Sequence, residues 1–276
     1  MPKLLMQPEE HRFLAGRYPE EKKDSPKNSD GFLIYKLSLA ILCSSMMAYG
    51  WWDQKTNPKD VHGSHSYTDY VSNWNDISCT AWSIMNAIVA FQPAMPAAAY
   101  GLLSGMNAIA PTFSCGVAFA FWTLLPADRQ STDLVSLHQH AFLAIITVVD
   151  LFLVAAPIRY FHIISTWIFA GCYAINTMIV YFLFGEDRDD VYPFLNYSDK
   201  FSNAVKFDLA MTFGLQTIMF SLMYLFSKTK FWVHRKITTV PEVDSPGESK
   251  TELLEKGDGR ATPKKQLRLR KVRKAD

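Results

Sequence analysis

The stretch LHQHAFLAIITVVDLFLVAAPIRYFH, residues 137–162, decides the fold, because it is apolar and long enough to cross a bilayer yet contains ionisable side chains. His138 and His140 open it, Asp150 lies in its middle, and an arginine and a third histidine follow the proline near its end. Ionisable residues cost free energy in hydrocarbon, so in membrane proteins they usually face a bundle interior or a functional site. The stretch therefore predicts a transmembrane helix with an inward-facing polar side.

Apolar runs of about 20 residues, the length that spans a bilayer, recur along the chain. The predicted spans are residues 32–49, 77–95, 104–125, 140–158, 162–184 and 204–226. Pro111 lies inside the third span, whose start could be as early as Ala97. Although 49% of the residues are hydrophobic, the mean hydropathy is zero because charged ends flank the apolar runs. We predict an all-α polytopic membrane protein: a six-helix transmembrane domain at 32–227 between disordered cytoplasmic tails at 1–31 and 228–276.

The distribution of lysine and arginine predicts the orientation. Residues 1–31 carry six of these residues and the tail from Lys228 carries fourteen, whereas the loops on the opposite side carry few. Because positive residues remain on the cytoplasmic side, both termini are predicted to be cytoplasmic. The loop 186–203, which holds five acids and two bases, contains the candidate glycosylation site Asn196 on the opposite side.

The tails and the loops predict few partners other than the bilayer. Residues 1–31 lack the apolar core of a cleavable signal peptide, so the first helix is expected to act as an uncleaved anchor. The basic cluster 264–271 could contact anionic lipid, or could be only a solvated positive tail. No recognised nucleic-acid-binding fold accompanies this charge, so nucleic acid is excluded as a partner. The protein partners are not identifiable from the sequence.

Cysteine and histidine spacing predicts neither a cofactor nor a metal site. The four cysteines lie in apolar segments without a CxxC pair, which is typical of packing residues. The two histidines of the loop 62–65 form an isolated HxxH, for which a surface metal site is the less favoured interpretation.

Polar residues repeat at helical spacing within the predicted spans. On the second helix the steps of four, four and three place Asn75, Cys79, Ser83 and Asn86 on one face. His140, Thr147 and Asp150 share a face of the fourth helix, Asp208, Thr212 and Gln216 share one of the sixth, and the fifth contributes Asn176. These faces are predicted to point into the bundle, where such residues either bind helices together or form a site.

Ser72 and His140 raise the question of catalysis. Both lie where predicted helices begin on the same side of the membrane, and a histidine can remove the proton of a hydroxyl that attacks an acyl carbon. Asp150 would support this pair from deeper in the bundle. Coexistence of these residue types does not define a dyad, because geometry does.

An ordered set of motifs over residues of about 30–230 resembles the rolling stone family of multispanning membrane proteins. The motifs are Tyr70-Val71-Ser72-Asn73-Trp74-Asn75, His140 ten residues before Asp150, Pro157-Ile158-Arg159 followed by His162, Tyr173, Tyr181-Phe182 before Gly185, and Val191-Tyr192-Pro193-Phe194-Leu195. The resemblance implies a plasma-membrane protein associated with cell adhesion or cell–cell fusion.

More distantly, the chain is similar to the androgen-induced membrane hydrolases, which cleave fatty-acid esters of hydroxy fatty acids. Those enzymes use a threonine at the start of the second helix and a histidine at the start of the fourth, and Ser72 and His140 stand in these places. Asp150 stands where they carry a glutamate. This similarity implies a lipid hydrolase with a serine in place of the threonine.

Three functional hypotheses follow. The first is a non-enzymatic protein of rolling stone type that acts in adhesion or fusion, and its alternative is an intramembrane hydrolase of lipid acyl esters with Ser72 and His140 as catalytic residues. A channel or transporter is the least favoured, because the sequence shows no inverted repeat and no paired broken helices. The expected location is the plasma membrane, with the endoplasmic reticulum as the alternative because Arg273-Lys274 loosely imitates a retrieval signal.

Overall fold

A computed structural model describes residues 30–56, 66–91, 97–127, 130–154, 156–184, 192, 195 and 197–238. The described residues are helical or lie in turns and connections, and no strand occurs among them. The all-α class is therefore confirmed. Most of both tails, Asn196 and the HxxH loop lie outside these ranges, so the predictions of disordered tails and of a glycosylation site remain predictions.

Six long helices occur in this part of the chain, numbered here in chain order. They are α1 (Asp30–Thr56), α2 (Val71–Phe91), α3 (Ala97–Leu124), α4 (Leu134–Leu153), α5 (Ile163–Phe184) and α6 (residues 197–238). Short 3-10 turns, Tyr67–Asp69 and Tyr160–His162, precede α2 and α5. Two of the helices contain a π-helical segment, His138–Phe142 in α4 and Ala210–Leu215 in α6.

Five of these helices are long and apolar enough to cross a membrane: all except α2. The protein is therefore a membrane protein by the length and composition of its helices. In α2 buried polar residues are mixed with the apolar ones, which lowers the hydropathy of the helix. The buried polar residues include Ser72, Asn75, Asp76, Ser83 and Asn86.

Helix α3 is the centre of the bundle. In an apolar stretch of 18 residues within Gly101–Leu124, 61% of the residues are buried, against 11% in the corresponding stretch of Tyr160–Phe184, which contains α5. Ala110 packs in one apolar cluster with Cys43 of α1, Trp82 of α2 and Leu143 of α4. Ala108, two residues earlier and so on nearly the opposite side of the helix, packs with residues of α4, α5 and α6. Small residues on α3 thus allow helices to approach it from several sides.

Helix α4 ends earlier than the sequence predicts. Its start is fixed by the Asp133 side chain, which accepts the backbone N–H of Ser136 as an N-terminal cap. Its end is at Leu153 instead of 158, because the chain turns to extended geometry at Val154. A proline disfavours helical geometry in the residue before it, and Pro157 follows this point closely.

Helix α6 extends well beyond the predicted boundary at 227. Its parts are Tyr197–Leu209, the π segment and Gln216–Thr238. Lys228 and Lys230 therefore belong to the helix and not to the C-terminal tail. Lys230 is buried, which the prediction of a solvated tail beginning at Lys228 did not anticipate.

Candidate functional site

The predicted polar faces point into the bundle. All four residues of the α2 face are fully buried. The residues predicted on the inward faces of α4 and α6 are nearly completely buried. At one end of α6, Asp208 accepts hydrogen bonds from the hydroxyls of Tyr197 and of Thr177 in α5. Asn176 is only partly buried, and it donates to the backbone oxygen of Thr68. The helical spacing in the sequence therefore located the buried faces of α2, α4 and α6 correctly, whereas the predicted inward position of Asn176 on α5 is confirmed only in part.

Asp150 forms a buried ion pair with Lys36 of α1. The Lys36 Nζ lies 2.5 Å from Asp150 Oδ1, and the side chains are 0% and 4% exposed. The Tyr35 hydroxyl donates to the same oxygen over 2.8 Å. Lys36 Nζ also lies 5.6 Å from the Phe32 ring centroid and 5.7 Å from that of Trp82, within the range of cation–π attraction. The carboxyl is thus held by two donors from α1.

A chain of amide side chains continues from this ion pair into α2 and α3. Lys36 Nζ lies 3.5 Å from Asn86 Oδ1, and Asn86 Nδ2 donates over 3.1 Å to Asn107 Oδ1. The Trp82 indole N–H donates to that same Asn107 oxygen over 2.8 Å. The polar groups of α1, α2, α3 and α4 therefore form one connected network.

A second polar cluster joins the start of α2 to the π segment of α4; we call it the entrance cluster and define it as Tyr67, Asn73, Asp76, His138 and Gln139. Gln139 Nε2 donates to Asn73 Oδ1 over 2.7 Å, and His138 Nε2 lies 3.4 Å from Asp76 Oδ1. The Tyr67 hydroxyl donates to the other Asp76 oxygen over 3.1 Å. Burial, and next the charge of Asp76, raise the pKa of Tyr67 well above its usual value, so this phenol remains a neutral donor.

His140 lies beside the entrance cluster but contacts α3. Its ring stacks on Phe121 with centroids 3.6 Å apart and planes 8° from parallel, and its backbone oxygen accepts the Trp122 indole N–H. Nδ1 is buried without a hydrogen-bond partner among the described residues. An unpartnered buried nitrogen is costly, and π-helical segments are frequent at functional sites. These features make His140 a candidate for a functional residue.

Ser72 is buried in the first turn of α2 and contacts Tyr192. The Tyr192 hydroxyl accepts the backbone N–H of Val71 over 3.3 Å and also interacts with the Ser72 side chain. Burial raises the pKa of Tyr192, which keeps its hydroxyl neutral. The contacts of Ser72 and His140 thus go to different partners, and their pairing as a dyad remains a prediction. His138 and Gln139 make the contacts between α4 and the first turns of α2.

The motif that closes the opening stretch forms a turn between α4 and α5. The Ile158 N–H donates to Ser227 Oγ of α6 over 3.1 Å, and the Arg159 N–H donates to His162 Nδ1 over 3.3 Å. Because Nδ1 accepts, the proton of a neutral His162 lies on Nε2, which is 3.1 Å from Ser104 Oγ of α3. His162 therefore holds the turn against the centre of the bundle.

Neither of the two buried lysines, Lys36 and Lys230, was predicted from the sequence. Lys36 lies inside the predicted first span, and a lysine within a span is itself a signal of a buried partner. Lys230 lies just beyond the predicted sixth span, and its Nζ donates to the backbone oxygens of Leu151, Val154 and Ala156 at the end of α4. Hydropathy gave no signal for this second contact.

Comparison of the chain with protein-family models, with curated proteins and with solved structures found no match.

Proposed function

We propose that the chain crosses a membrane six times, with α2 as the sixth span. With 21 residues, α2 is about 30 Å long, the thickness of a bilayer's hydrocarbon core. Its polar residues face other helices and not the surface that lipid would cover. The polar network described above supplies hydrogen-bond partners for them. An inward polar face of this kind is compatible with a membrane span of low hydropathy.

Both termini, together with Arg159, are expected on the cytoplasmic side of the plasma membrane. An epitope tag at either terminus should be digested by protease added to cells whose plasma membrane has been permeabilised, and should be protected in intact cells, because lysine and arginine remain cytoplasmic. A tag inserted after Asn196 should be digested already in intact cells. A C-terminal tag digested in intact cells would contradict this orientation.

For the activity, we propose hydrolysis of a lipid acyl ester, with His140 as the general base. The observation that carries this proposal is the buried His140 Nδ1, which has no partner among the described residues although it lies beside the polar entrance cluster. A neutral imidazole with a free nitrogen can accept a proton, and a general base requires such an acceptor. Ser72 is the proposed nucleophile because it lies in the first turn of α2, the part of the helix that adjoins the π segment of α4.

The reaction would proceed in two steps. The Ser72 oxygen bonds to the acyl carbon while His140 removes the hydroxyl proton, and the protonated His140 then gives that proton to the departing alcohol. Water, activated by His140 in the same way, cleaves the acyl-serine and restores both residues. The first step requires the Ser72 hydroxyl to leave Tyr192 and reach a His140 nitrogen.

A fluorophosphonate probe tests this proposal. Such probes phosphonylate activated serines, so the wild-type protein in membranes should be labelled. Ser72→Ala and His140→Ala should each reduce the labelling rate by about 100-fold or more, because one removes the nucleophile and the other the base. The measurement is in-gel fluorescence of the purified full chain after timed exposure.

Ser78→Ala is the matched control. Ser78 is also buried on α2, but its hydroxyl donates to the backbone oxygen of Asn75 within the same helix, so its loss should leave labelling unchanged. Each variant must elute as a monodisperse species in size-exclusion chromatography. Unlabelled wild-type protein that passes this criterion would exclude the serine hydrolase.

The second candidate is a non-enzymatic protein of rolling stone type that acts in cell adhesion or fusion. The contact between Ser72 and Tyr192 favours it, because a serine engaged with a tyrosine at a helix start can serve to hold the chain in place. The polar network of α1 to α4 would then bind the helices together. Absence of labelling in folded protein, with loss of cell–cell fusion on deletion of the gene, would support this candidate.

A further inference from the structure

Two buried oxygens on α3 and α6, Thr112 Oγ1 and Gln216 Oε1, have no hydrogen-bond partner among the described residues. The Gln216 amide lies directly over Gly116, one turn from Thr112 on α3. A Cβ added to Gly116 would lie 2.9 Å from Gln216 Nε2 and 3.6 Å from Gln216 Oε1. The glycine thus leaves the space that the amide occupies, and the four-residue spacing puts Thr112 on the same side of α3 as Gly116.

Each helix has a feature that disturbs its regular backbone hydrogen bonding within two turns of the contact between Gly116 and Gln216. Pro111, next to Thr112, lies inside α3, and a proline within a helix removes one backbone donor and bends the helix. In α6 the π segment Ala210–Leu215 ends at Gln216, whose N–H bonds to the Met211 oxygen five residues back. Paired interruptions of membrane helices mark ion and substrate sites in transporters. Such a pair is not evident in the sequence, because a π segment has no clear sequence signature.

The π segment of α4 shows what such an interruption does to the backbone. There the Leu143 N–H bonds to the His138 oxygen, five residues back, and not to the Gln139 oxygen, which it would bond in a regular α-helix. The Gln139 oxygen instead accepts Asn75 Nδ2 of α2 over 3.4 Å. In the same way, the Gln216 N–H of α6 bonds to the Met211 oxygen and not to the oxygen of Thr212, a buried residue. The Thr212 carbonyl thus has the same position in its π segment as the Gln139 carbonyl, which accepts a side chain from another helix.

These oxygens lie at similar depth. Thr112 is about halfway along the span Gly101–Leu124, and Gln216 about halfway along Phe201–Val233. All three are neutral, and neutral carbonyl and hydroxyl oxygens at interrupted helices coordinate monovalent cations in membrane proteins. A divalent ion would favour carboxylate ligands. Asp208, one turn before Thr212 and also buried, adds negative charge nearby.

We propose that Thr112 Oγ1, Gln216 Oε1 and the Thr212 carbonyl form a binding site for a monovalent cation, sodium or potassium, between α3 and α6. The site involves neither Ser72 nor His140, so it does not depend on the hydrolase proposal. It implies that the α3–α6 contact is stabilised when the cation is bound.

The test is the melting temperature of the purified full chain in detergent, measured in sodium, potassium or choline chloride at constant ionic strength. A ligand that binds only the folded state stabilises it in proportion to the logarithm of its concentration. We expect the melting temperature to be higher in sodium or potassium than in choline by about 5 °C at saturation. Which salt has this effect identifies the ion.

Four variants assign the effect to the site. Thr112→Val and Gln216→Leu should abolish the difference between salts, whereas Ser221→Ala should retain it, since Ser221 is exposed on α6 and its hydroxyl bonds to its own helix. Gln216→Glu places a carboxylate at the same point and should increase the cation affinity at least about tenfold, which decides the matter even if the apolar variants do not fold. Equal melting temperatures in all three salts for the wild type and Gln216→Glu, or a sodium or potassium effect that persists in folded Gln216→Leu, would overturn the proposal.

Discussion

Lys36→Met is expected to destabilise the protein by about 3–5 kcal/mol, because it leaves the Asp150 carboxyl buried without its cationic partner. Lys36 Nζ lies 2.5 Å from Asp150 Oδ1 and both side chains are buried. The loss should appear as a lower melting temperature and a lower yield of monodisperse protein in size-exclusion chromatography. Asp150→Asn should cause a loss of similar size, because Lys36 is then the unpaired charge.

The double variant Lys36→Met, Asp150→Asn distinguishes the ion pair from simple packing. It removes both charges, and the asparagine oxygen can still accept the Tyr35 hydroxyl, so at least half of the lost stability should return. Lys55→Met is the matched control, because Lys55 is exposed at the other end of α1 and contacts only the Trp51 ring among the described residues. Additive losses in the double variant would show that the pair is not coupled.

Lys230→Met is expected to have the next largest effect, a loss of about 3 kcal/mol. The Lys230 amine donates to the backbone oxygens of Leu151, Val154 and Ala156 at 2.6, 2.6 and 3.2 Å. These oxygens belong to the end of α4 and the connection after it, where no helical donor follows. Buried acceptors that lose a charged donor cost more than the bond itself contributed. Faster hydrogen exchange at residues 150–158 is the specific measurement.

Lys228→Met provides the comparison for Lys230. Lys228 is exposed two residues earlier on α6, with its amine 5.3 Å from the Tyr224 ring centroid. Its replacement should change stability little and leave exchange at residues 150–158 as in the wild type. If both variants accelerate exchange equally, the hydrogen bonds from Lys230 to the end of α4 are not what stabilises residues 150–158.

Local patterns were enough to predict the class of the protein and the inward faces of its helices. Apolar length and the 3.6-residue repeat are properties of a segment by itself, so Asn75, Cys79, Ser83 and Asn86 could be assigned to one buried face before any packing was known. The proline inside α3 was also visible, because the residue type alone identifies it. His140 and Asp150 were placed in the interior by the same argument of cost in hydrocarbon.

The partners of these residues were decided only by the tertiary structure. Lys36 and Asp150 are 114 residues apart, and no local pattern indicates which helices adjoin, so the ion pair follows from the packing of α1 against α4. The carbonyl oxygens at the end of α4 are bound by Lys230, which comes from another helix, and no local pattern around residues 151–156 indicates this partner. The partners of Ser72 and His140 were likewise set by the approach of Tyr192 and of α3. The depth of a residue in the membrane and the helix face on which it lies follow from its position along one helix. Which residues pair depends on the distances between helices, which the sequence of a single chain does not contain.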